Sequence, residues 1–229
     1  MPDLSVAEVA SQLRVDPSRV RQLLRAGALP GQRVGRDWVV PSSAVVSAAN
    51  RPARAAGRPP APRRAWALLA LLDGGRADWL DTVARSHVRA QVRALAGKDA
   101  EAWAKALRGR EDRLAVAGHR SAVSRLLGES NVWPAGPAVA NKIGADLVVA
   151  DVVPEVYCSA ENWKRLSASL HLRAADEADV WVRIPRQLWP FGPEGPGPAS
   201  LAASLLDGEW RAARAGAQIL NKLAGGAVR

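Results

Sequence analysis

The sequence of 229 residues contains very little cysteine, since Cys158 is its single thiol, and it has far less lysine than arginine. One cysteine excludes an intramolecular disulfide framework and cannot complete a zinc site. The first residues lack the charged region and apolar run of a signal peptide, and no stretch approaches the roughly 20 apolar residues of a membrane span. We therefore expect a soluble, cytoplasmic protein with no membrane partner.

The sequence also lacks the common catalytic signatures. His87, His119 and His171 are far apart and have no partner at metal-ligand spacing, and no nucleophile elbow, phosphate-binding loop or dinucleotide fingerprint is present. Asp146 and Asp151 flank a predicted strand and could hold a metal ion as nuclease carboxylates do, but no Glu-x-Lys follows them. The sequence therefore predicts a protein that is not an enzyme and has no catalytic residue, metal or cofactor.

The charge of the chain is basic and unevenly distributed. The formal net charge is +10, and residues 1–64 carry 11 Lys and Arg against four Asp and Glu. The remaining residues carry 21 against 18, so most of the surplus lies in the N-terminal segment. A surplus confined to one segment is typical of a protein with a nucleic-acid partner.

Residues 4–40 show the pattern of two short helices and a hairpin. Ser5, with Glu8 three residues later, forms a capping box before an apolar stripe at helical spacing. Asp16 followed by Pro17 predicts the N-cap and first residue of a second helix, after the first helix ends at Val15. The apolar positions expected to be buried are Val6, Val9, Ala10 and Leu13 on the first helix and Val20, Leu23 and Leu24 on the second.

The second helix and the hairpin after it carry the polar residues of interest. Opposite its apolar face the helix has Ser18, Arg19, Gln22 and Arg25, with Arg21 beside them and Gly27 as a C-cap. Two strands are predicted around Gly35-Arg36, with Trp38 and Val40 facing a small core and Arg33 and Arg36 facing outward, and Ser42 is predicted to begin a short closing helix. A helix of this kind fits the major groove of DNA, and a basic hairpin can lie against neighbouring phosphates.

This segment resembles the winged helix-turn-helix of the MerR and phage-excisionase superfamily. The matching runs are SVAEVA, VDPSRVRQLLRAGALP and RVGRDWVVP. The resemblance implies that Ser18, Arg19, Gln22, Arg33 and Arg36 contact double-stranded DNA. We add Arg21 and Arg25 as DNA-binding candidates because they neighbour these residues on the same helix, and we expect the protein to be nucleoid-associated when bound.

A basic segment separates this module from the rest of the chain. Residues 50–64, NRPARAAGRPPAPRR, consist largely of Pro, Ala, Gly and Arg and predict a linker, because this composition cannot form a core. Arg58, in a Gly-Arg-Pro tripeptide that resembles an AT-hook core, is a candidate for additional nucleic-acid contact, together with Arg63 and Arg64. A plain basic linker with non-specific phosphate affinity explains the composition equally.

Residues 65–229 predict a larger, helix-rich mixed α+β domain for oligomerisation or partner binding, which makes the chain α+β overall, with a winged helix-turn-helix module at residues 1–49. The pattern predicts an alternating strand at 180–184, an aromatic plug at 188–191, loops at 131–145 and two closing helices. The other predicted helices are 65–72, 79–95, 100–108, 120–127 and one beginning at Ser159, and the other predicted strands are 114–117, 147–149 and 156–158.

The C-terminal part resembles the corresponding domain of AbiEi-like antitoxins of type IV toxin–antitoxin systems. The resemblance rests on VYCSAENWKRL, LWPF, Leu205-Leu206-Asp207 and the Arg-x-x-Arg-Ala-Gly run that ends at Gly216. It implies a repressor of its own operon with a cognate toxin as partner. The sequence leaves open a homodimer, an excisionase-like architectural or recombination factor, and a DNA-targeted enzyme such as a nuclease.

Overall fold

The computed structural model describes residues 3–13, 16–25, 29–35, 37–42, 61–147 and 152–227. The fold is mixed α+β, and this confirms the predicted fold class. The chain divides into an N-terminal unit, Met1–Ala56, and a C-terminal unit, Gly57–Arg229. Most of the predicted linker and the predicted closing helix after Ser42 fall outside the described residues.

The N-terminal unit combines two helices with a small antiparallel sheet. Its elements are β1 (Asp3–Ser5), α1 (Val6–Leu13), α2 (Pro17–Arg25), β2 (Gln32–Val34) and β3 (Asp37–Pro41). The strands lie in the order β1-β3-β2. Strand β1 was not predicted, because its three residues have no periodicity of their own and form a strand only by pairing with β3.

Both predicted helix starts are present. The Glu8 carboxylate accepts hydrogen bonds from Ser5 N at 2.7 Å and from the Ser5 hydroxyl, and Glu8 N donates to Ser5 Oγ at 3.4 Å, which completes the capping box. Ser18 N donates to Asp16 Oδ1 at 2.7 Å, and α2 begins at Pro17. The predicted end of the first helix at Val15 and the Gly27 C-cap lie outside the described residues.

A single apolar cluster holds the N-terminal unit together. It consists of Val9, Ala10, Val20, Leu24, Leu29 and Val40, with Leu4, Val6 and Trp38 packed against it. The predicted inward orientation of Trp38 and Val40 is therefore confirmed. Of the positions predicted to be buried, Val9, Ala10, Val20 and Leu24 are buried and Val6 packs against them. The side chains of Leu13 and Leu23 lie outside the described part.

The C-terminal unit places helices on both faces of a five-stranded sheet. Its helices are α3 (Pro62–Leu72), α4 (Thr82–Leu95), α5 (Ala100–Leu107), α6 (Arg120–Leu127), α7 (Ala160–Ser169), α8 (Pro198–Leu205) and α9 (Trp210–Ala227), and a 3-10 helix spans Gly136–Ile143. Its strands are β4 (Glu111–Ala117), β5 (Val132–Ala135), β6 (Glu155–Cys158), β7 (Arg173–Ala174) and β8 (Val180–Pro185). The strand order is β5-β6-β8-β4-β7, in which β6 and β8 are parallel and the other neighbours are antiparallel.

The two faces of the sheet have different partners. Val116, Val156, Val180 and Val182 pack with residues of α6 and α7 on one face. On the other face, Tyr157 joins the larger core that α3, α4, α5, α8 and α9 build. The predicted aromatic plug belongs to this side, where Phe191 makes edge-to-face contacts with Trp66, Tyr157 and Trp189 at centroid distances of 5.4, 5.0 and 4.9 Å.

Three local predictions were wrong. The predicted linker ends early, because α3 begins at Pro62 and includes Arg63 and Arg64. Helix α4 begins at Thr82 and not at Trp79, because Asp81 caps it by accepting from Ala84 N at 2.7 Å. The predicted loops at 131–145 contain β5 and the 3-10 helix, whose formation depends on pairing with β6 and on packing that local punctuation does not reveal.

Candidate nucleic-acid interface

The outward face of α2 brings together most of the predicted DNA-binding residues. Ser18, Arg21 and Gln22 are exposed, whereas Val20 and Leu24 are buried on the opposite side. Arg25 is the last residue of the helix. The helix contains no acidic residue, so this face is a compact cationic and hydrogen-bonding surface. Arg19 also lies in α2, and the side chains of Arg19 and Arg25 are outside the described part.

Asp16 fixes the start of this helix. Its carboxylate accepts a hydrogen bond from Ser18 N, and that bond holds the pKa of Asp16 below its ordinary value. Val20 N also donates to the Asp16 carbonyl at 3.3 Å. The amides of Ser18 and Val20 at the start of α2 therefore have partners within the chain.

The β2–β3 hairpin forms the predicted wing. Val34 pairs with Asp37, and Gly35, which follows β2, has the positive φ of 63° that two-residue hairpin turns require. Arg33 pairs with Trp38 and is exposed, because β2 is an edge strand. Arg36 lies outside the described residues.

Comparison with known protein families gives a match for this N-terminal segment. Residues 4–51 match the family described as a helix-turn-helix domain. The N-terminal unit contains a helix-turn-helix domain. Comparison with curated proteins and with solved structures gave no significant match. None of these comparisons supports the resemblance between the C-terminal part and AbiEi-like antitoxins.

The helix-turn-helix domain supports a DNA-binding regulatory role for the chain. Its α2 occupies the position of the recognition helix, the second of the paired helices, whose N-terminal side chains reach base edges in this class of motif. The remaining predicted contact residues lie elsewhere. Arg58 is outside the described residues, and Arg63 and Arg64 are exposed in the first turn of α3 in the C-terminal unit.

Arg63 is tied to its own unit. Its Nη2 donates to the Trp79 carbonyl at 2.6 Å, and Trp79 Nε1 donates to the Arg63 carbonyl at 3.0 Å. The prediction that Arg63 and Arg64 lie in a linker is therefore wrong, because both are helical residues of the C-terminal unit. Their contact with nucleic acid stays a prediction.

Sequence reasoning missed a buried ion cluster beneath the C-terminal helices, formed by Arg110, Glu111, Arg113, Glu155, Arg183 and Asp207. Arg183, at 0% exposure, donates from Nε to Glu155 Oε1 at 2.8 Å and from Nη1 to Asp207 Oδ2 at 2.7 Å. It also pairs with Glu111, and its Nη2 donates to the Ser204 carbonyl at 2.8 Å. Arg183 thus joins β8 to β4, β6 and the end of α8.

Opposite charges in this ion cluster offset the cost of burial, although the buried Arg110 Nε and Glu111 Oε2 have no hydrogen-bond partner among the described residues. Burial acts to raise the pKa of Asp207, but the charges of Arg110 and Arg183 outweigh burial and hold that pKa below its ordinary value. Burial likewise acts to lower the pKa of Arg183, and Glu111 and Glu155 more than reverse that effect. The ion cluster therefore works as an internal cross-link. The alternation of apolar residues along β8 predicted that Arg183 lies on the face opposite Val180, Val182 and Ile184. Its carboxylate partners are distant in sequence, so the sequence pattern did not reveal them.

Other chemistry-bearing residues are brought together less closely. His119 and His171, far apart in sequence, line one cavity of about 290 Å³ with Ser121, Ser169 and Arg125. His119 serves as the N-cap of α6. Burial raises the pKa of Cys158 to about 11, so this thiol is protonated at neutral pH.

The remaining candidates for chemistry can be reported briefly. In the described part of the chain, no group of three or more His, Cys, Asp or Glu is arranged to hold a metal ion. Asp146 is exposed and Asp151 lies outside the described residues. No helix among the described residues has the length and apolarity to cross a membrane.

Proposed function

We propose that this protein is a sequence-specific DNA-binding transcriptional regulator that reads the major groove with α2. The observation that carries the proposal is the acid-free outward face of α2, where exposed Ser18, Arg21 and Gln22 lie over a packed core. Side chains of these types hydrogen-bond to base edges and phosphates, with arginine favouring guanine and glutamine favouring adenine. The family match over residues 4–51 supports the same assignment.

The wing has a different role in this proposal. Arg33 and Arg36 belong to a short hairpin beside α2, and they are assigned to the phosphate backbone. Phosphate contacts fix the orientation of a protein on the duplex but carry no sequence information. Arg19 and Arg25 complete the contact set on α2.

We further propose that the regulator is an antitoxin-type repressor of its own operon and acts by binding, without catalysis. The resemblance of the C-terminal part to AbiEi-like antitoxins supports this finer role, and a cognate toxin is the partner it implies. The proposal also includes a second copy of the chain on DNA, because one small module makes few base contacts and specific complexes usually bury more surface.

A footprint of the purified protein on the DNA upstream of its own coding region tests the proposal. We expect a discrete protected site, repeated or palindromic, and repression of a reporter placed behind it. Co-expression with the product of a neighbouring toxin-like gene tests the antitoxin role by rescue of growth. Absence of any protected site would contradict the repressor proposal, and phased sites with a large bend would favour an architectural factor.

A further inference from the structure

The charges of the C-terminal unit are sorted by element. Helices α3, α4 and α9 contribute to one apolar core and carry eight Arg and Lys but no Asp or Glu. The rest of the unit carries 16 Lys and Arg against 18 Asp and Glu. The eight cations are Arg63, Arg64, Arg85, Arg89, Arg93, Arg211, Arg214 and Lys222. We call their side of the unit the basic helical face.

These cations point away from the core. Seven of the eight residues are exposed, and the side chain of Arg85 retains 25% exposure while it pairs with Asp78 at 2.9 Å. On α4, the four-residue spacing of Arg85, Arg89 and Arg93 places them on one side, opposite the buried Val88 and Val92. The basic helical face therefore differs from the ion cluster, in which arginines are buried among carboxylates.

Hydrogen bonds made by Asn221 join α9 to the chain that follows α4. Asn221 of α9 accepts from Gly97 N at 2.9 Å through Oδ1, and its Nδ2 donates to the Lys98 carbonyl at 2.8 Å. The same Oδ1 accepts from Trp103 Nε1 at 2.9 Å. Lys98 and Lys222 are both exposed next to this junction, where the exposed Asp99 follows Lys98.

The three helices themselves carry no acidic residue, and Asp78, before α4, is the acidic partner of Arg85, so cations outnumber acidic groups on this surface and it attracts a polyanion. DNA is the polyanion that the proposed function already supplies. Both units belong to one chain, so DNA bound by the helix-turn-helix domain raises the effective concentration of phosphate around the C-terminal unit. Weak, sequence-independent contacts then add to affinity without needing a shaped pocket.

We propose that the basic helical face is a second DNA-contacting surface that binds the phosphate backbone without reading sequence. This inference rests on the proposed function. The test uses the full chain and a fluorescently labelled duplex of random sequence, about 30 base pairs long, with affinity measured by anisotropy between about 50 and 200 mM salt. The variant is Arg89→Gln with Arg93→Gln, and the matched control is Arg120→Gln with Arg173→Gln, exposed arginines outside the face.

Both double variants remove two positive charges, so net charge alone cannot distinguish them. Two lost phosphate contacts reduce the salt slope by about 1.8, so over this salt range the affinity of the wild type should fall about tenfold more than that of the Arg89/Arg93 variant. The control should behave as the wild type, and equal melting temperatures should show that both variants are folded.

The outcomes separate this inference from the proposed function. Equal salt slopes for the Arg89/Arg93 variant and the control would overturn the proposal of a second DNA-contacting surface. Equal slopes are the result expected if the basic helical face binds an acidic protein and not DNA. If Arg19→Ala with Arg36→Ala still weakened binding in the same assay, the proposed function would stand without the second surface. Failure of the wild type to bind any duplex at low salt would overturn both.

Discussion

Arg183 is the residue on which the C-terminal unit depends most strongly for its charge balance. Its guanidinium is fully buried and bonded to Glu111, Glu155 and Asp207. Replacing a buried cation by an apolar side chain leaves carboxylates without their counter-charge, and this costs more than the intact pair contributes.

We predict that Arg183→Leu lowers the free energy of unfolding of the C-terminal unit by about 3–5 kcal/mol. Urea unfolding at neutral pH, followed by the fluorescence of the buried Trp66 and Trp103, measures this loss.

Arg186→Leu is the matched control, because Arg186 pairs with Asp112 next to the same strand but its side chain is 50% exposed. Surface pairs contribute about 0–1 kcal/mol, so this variant should unfold almost as the wild type does. Equal losses in the two variants would show that the buried ion cluster has no special role in stability.

At the scale of the elements, the start of α2 is defined by a hydrogen bond between neighbouring residues, from Ser18 N to Asp16 Oδ1. Asp16 caps the helix and its pKa is lowered by the Ser18 hydrogen bond, so the folded state favours the charged carboxylate. The stabilisation by this charge is present above the unfolded pKa, near 3.9, and is lost as pH falls through the lower folded pKa.

We predict that Asp16→Asn keeps the cap but removes its pH dependence, because asparagine is an equally good N-cap and does not titrate. Calorimetric melting should show the wild-type N-terminal unit losing stability relative to the variant as pH falls from about 5 to about 2. The same difference in melting temperature at both ends of this range would argue against a contribution of the Asp16 charge.

Elements with local signals could be predicted from the sequence. The capping box at Ser5 and Glu8 and the caps at Asp16, Asp99 and Ser159 each involve residues within one turn, and the structure has all of them. Strands β1 and β5 could not be predicted, because short strands form only when a distant partner supplies their hydrogen bonds. The segment at Trp79 and Leu80, before Asp81, was wrongly predicted to be helical. These two apolar residues lie in a turn and pack against the core from there.

Part of the candidate nucleic-acid interface could likewise be predicted from the sequence. The outward positions of Ser18, Arg21 and Gln22 followed from helical period, and the turn at Gly35 followed from hairpin chemistry. The assignment of Arg63 to a linker failed because Pro62 begins a helix as easily as it marks extended chain.

At the scale of the whole molecule, the two proposals together assign complementary roles to the two units. The helix-turn-helix domain presents cations and hydrogen-bonding groups on one short helix, which suits reading of sequence. The C-terminal unit presents cations on the basic helical face, which suits contact with backbone phosphate. A division of this kind makes specificity depend on the N-terminal unit alone, although both units contribute to affinity.

The measurement that tests the central claim most directly is an equilibrium titration with two duplexes, one from the chain's own upstream DNA and one of random sequence. We predict that the wild type prefers the upstream duplex by about 10³-fold or more. Arg19→Ala with Arg36→Ala should lose most of that preference, whereas Arg120→Ala with Arg173→Ala should retain it. Equal affinity of the wild type for the two duplexes, or an unchanged preference in the Arg19/Arg36 variant, would contradict the account.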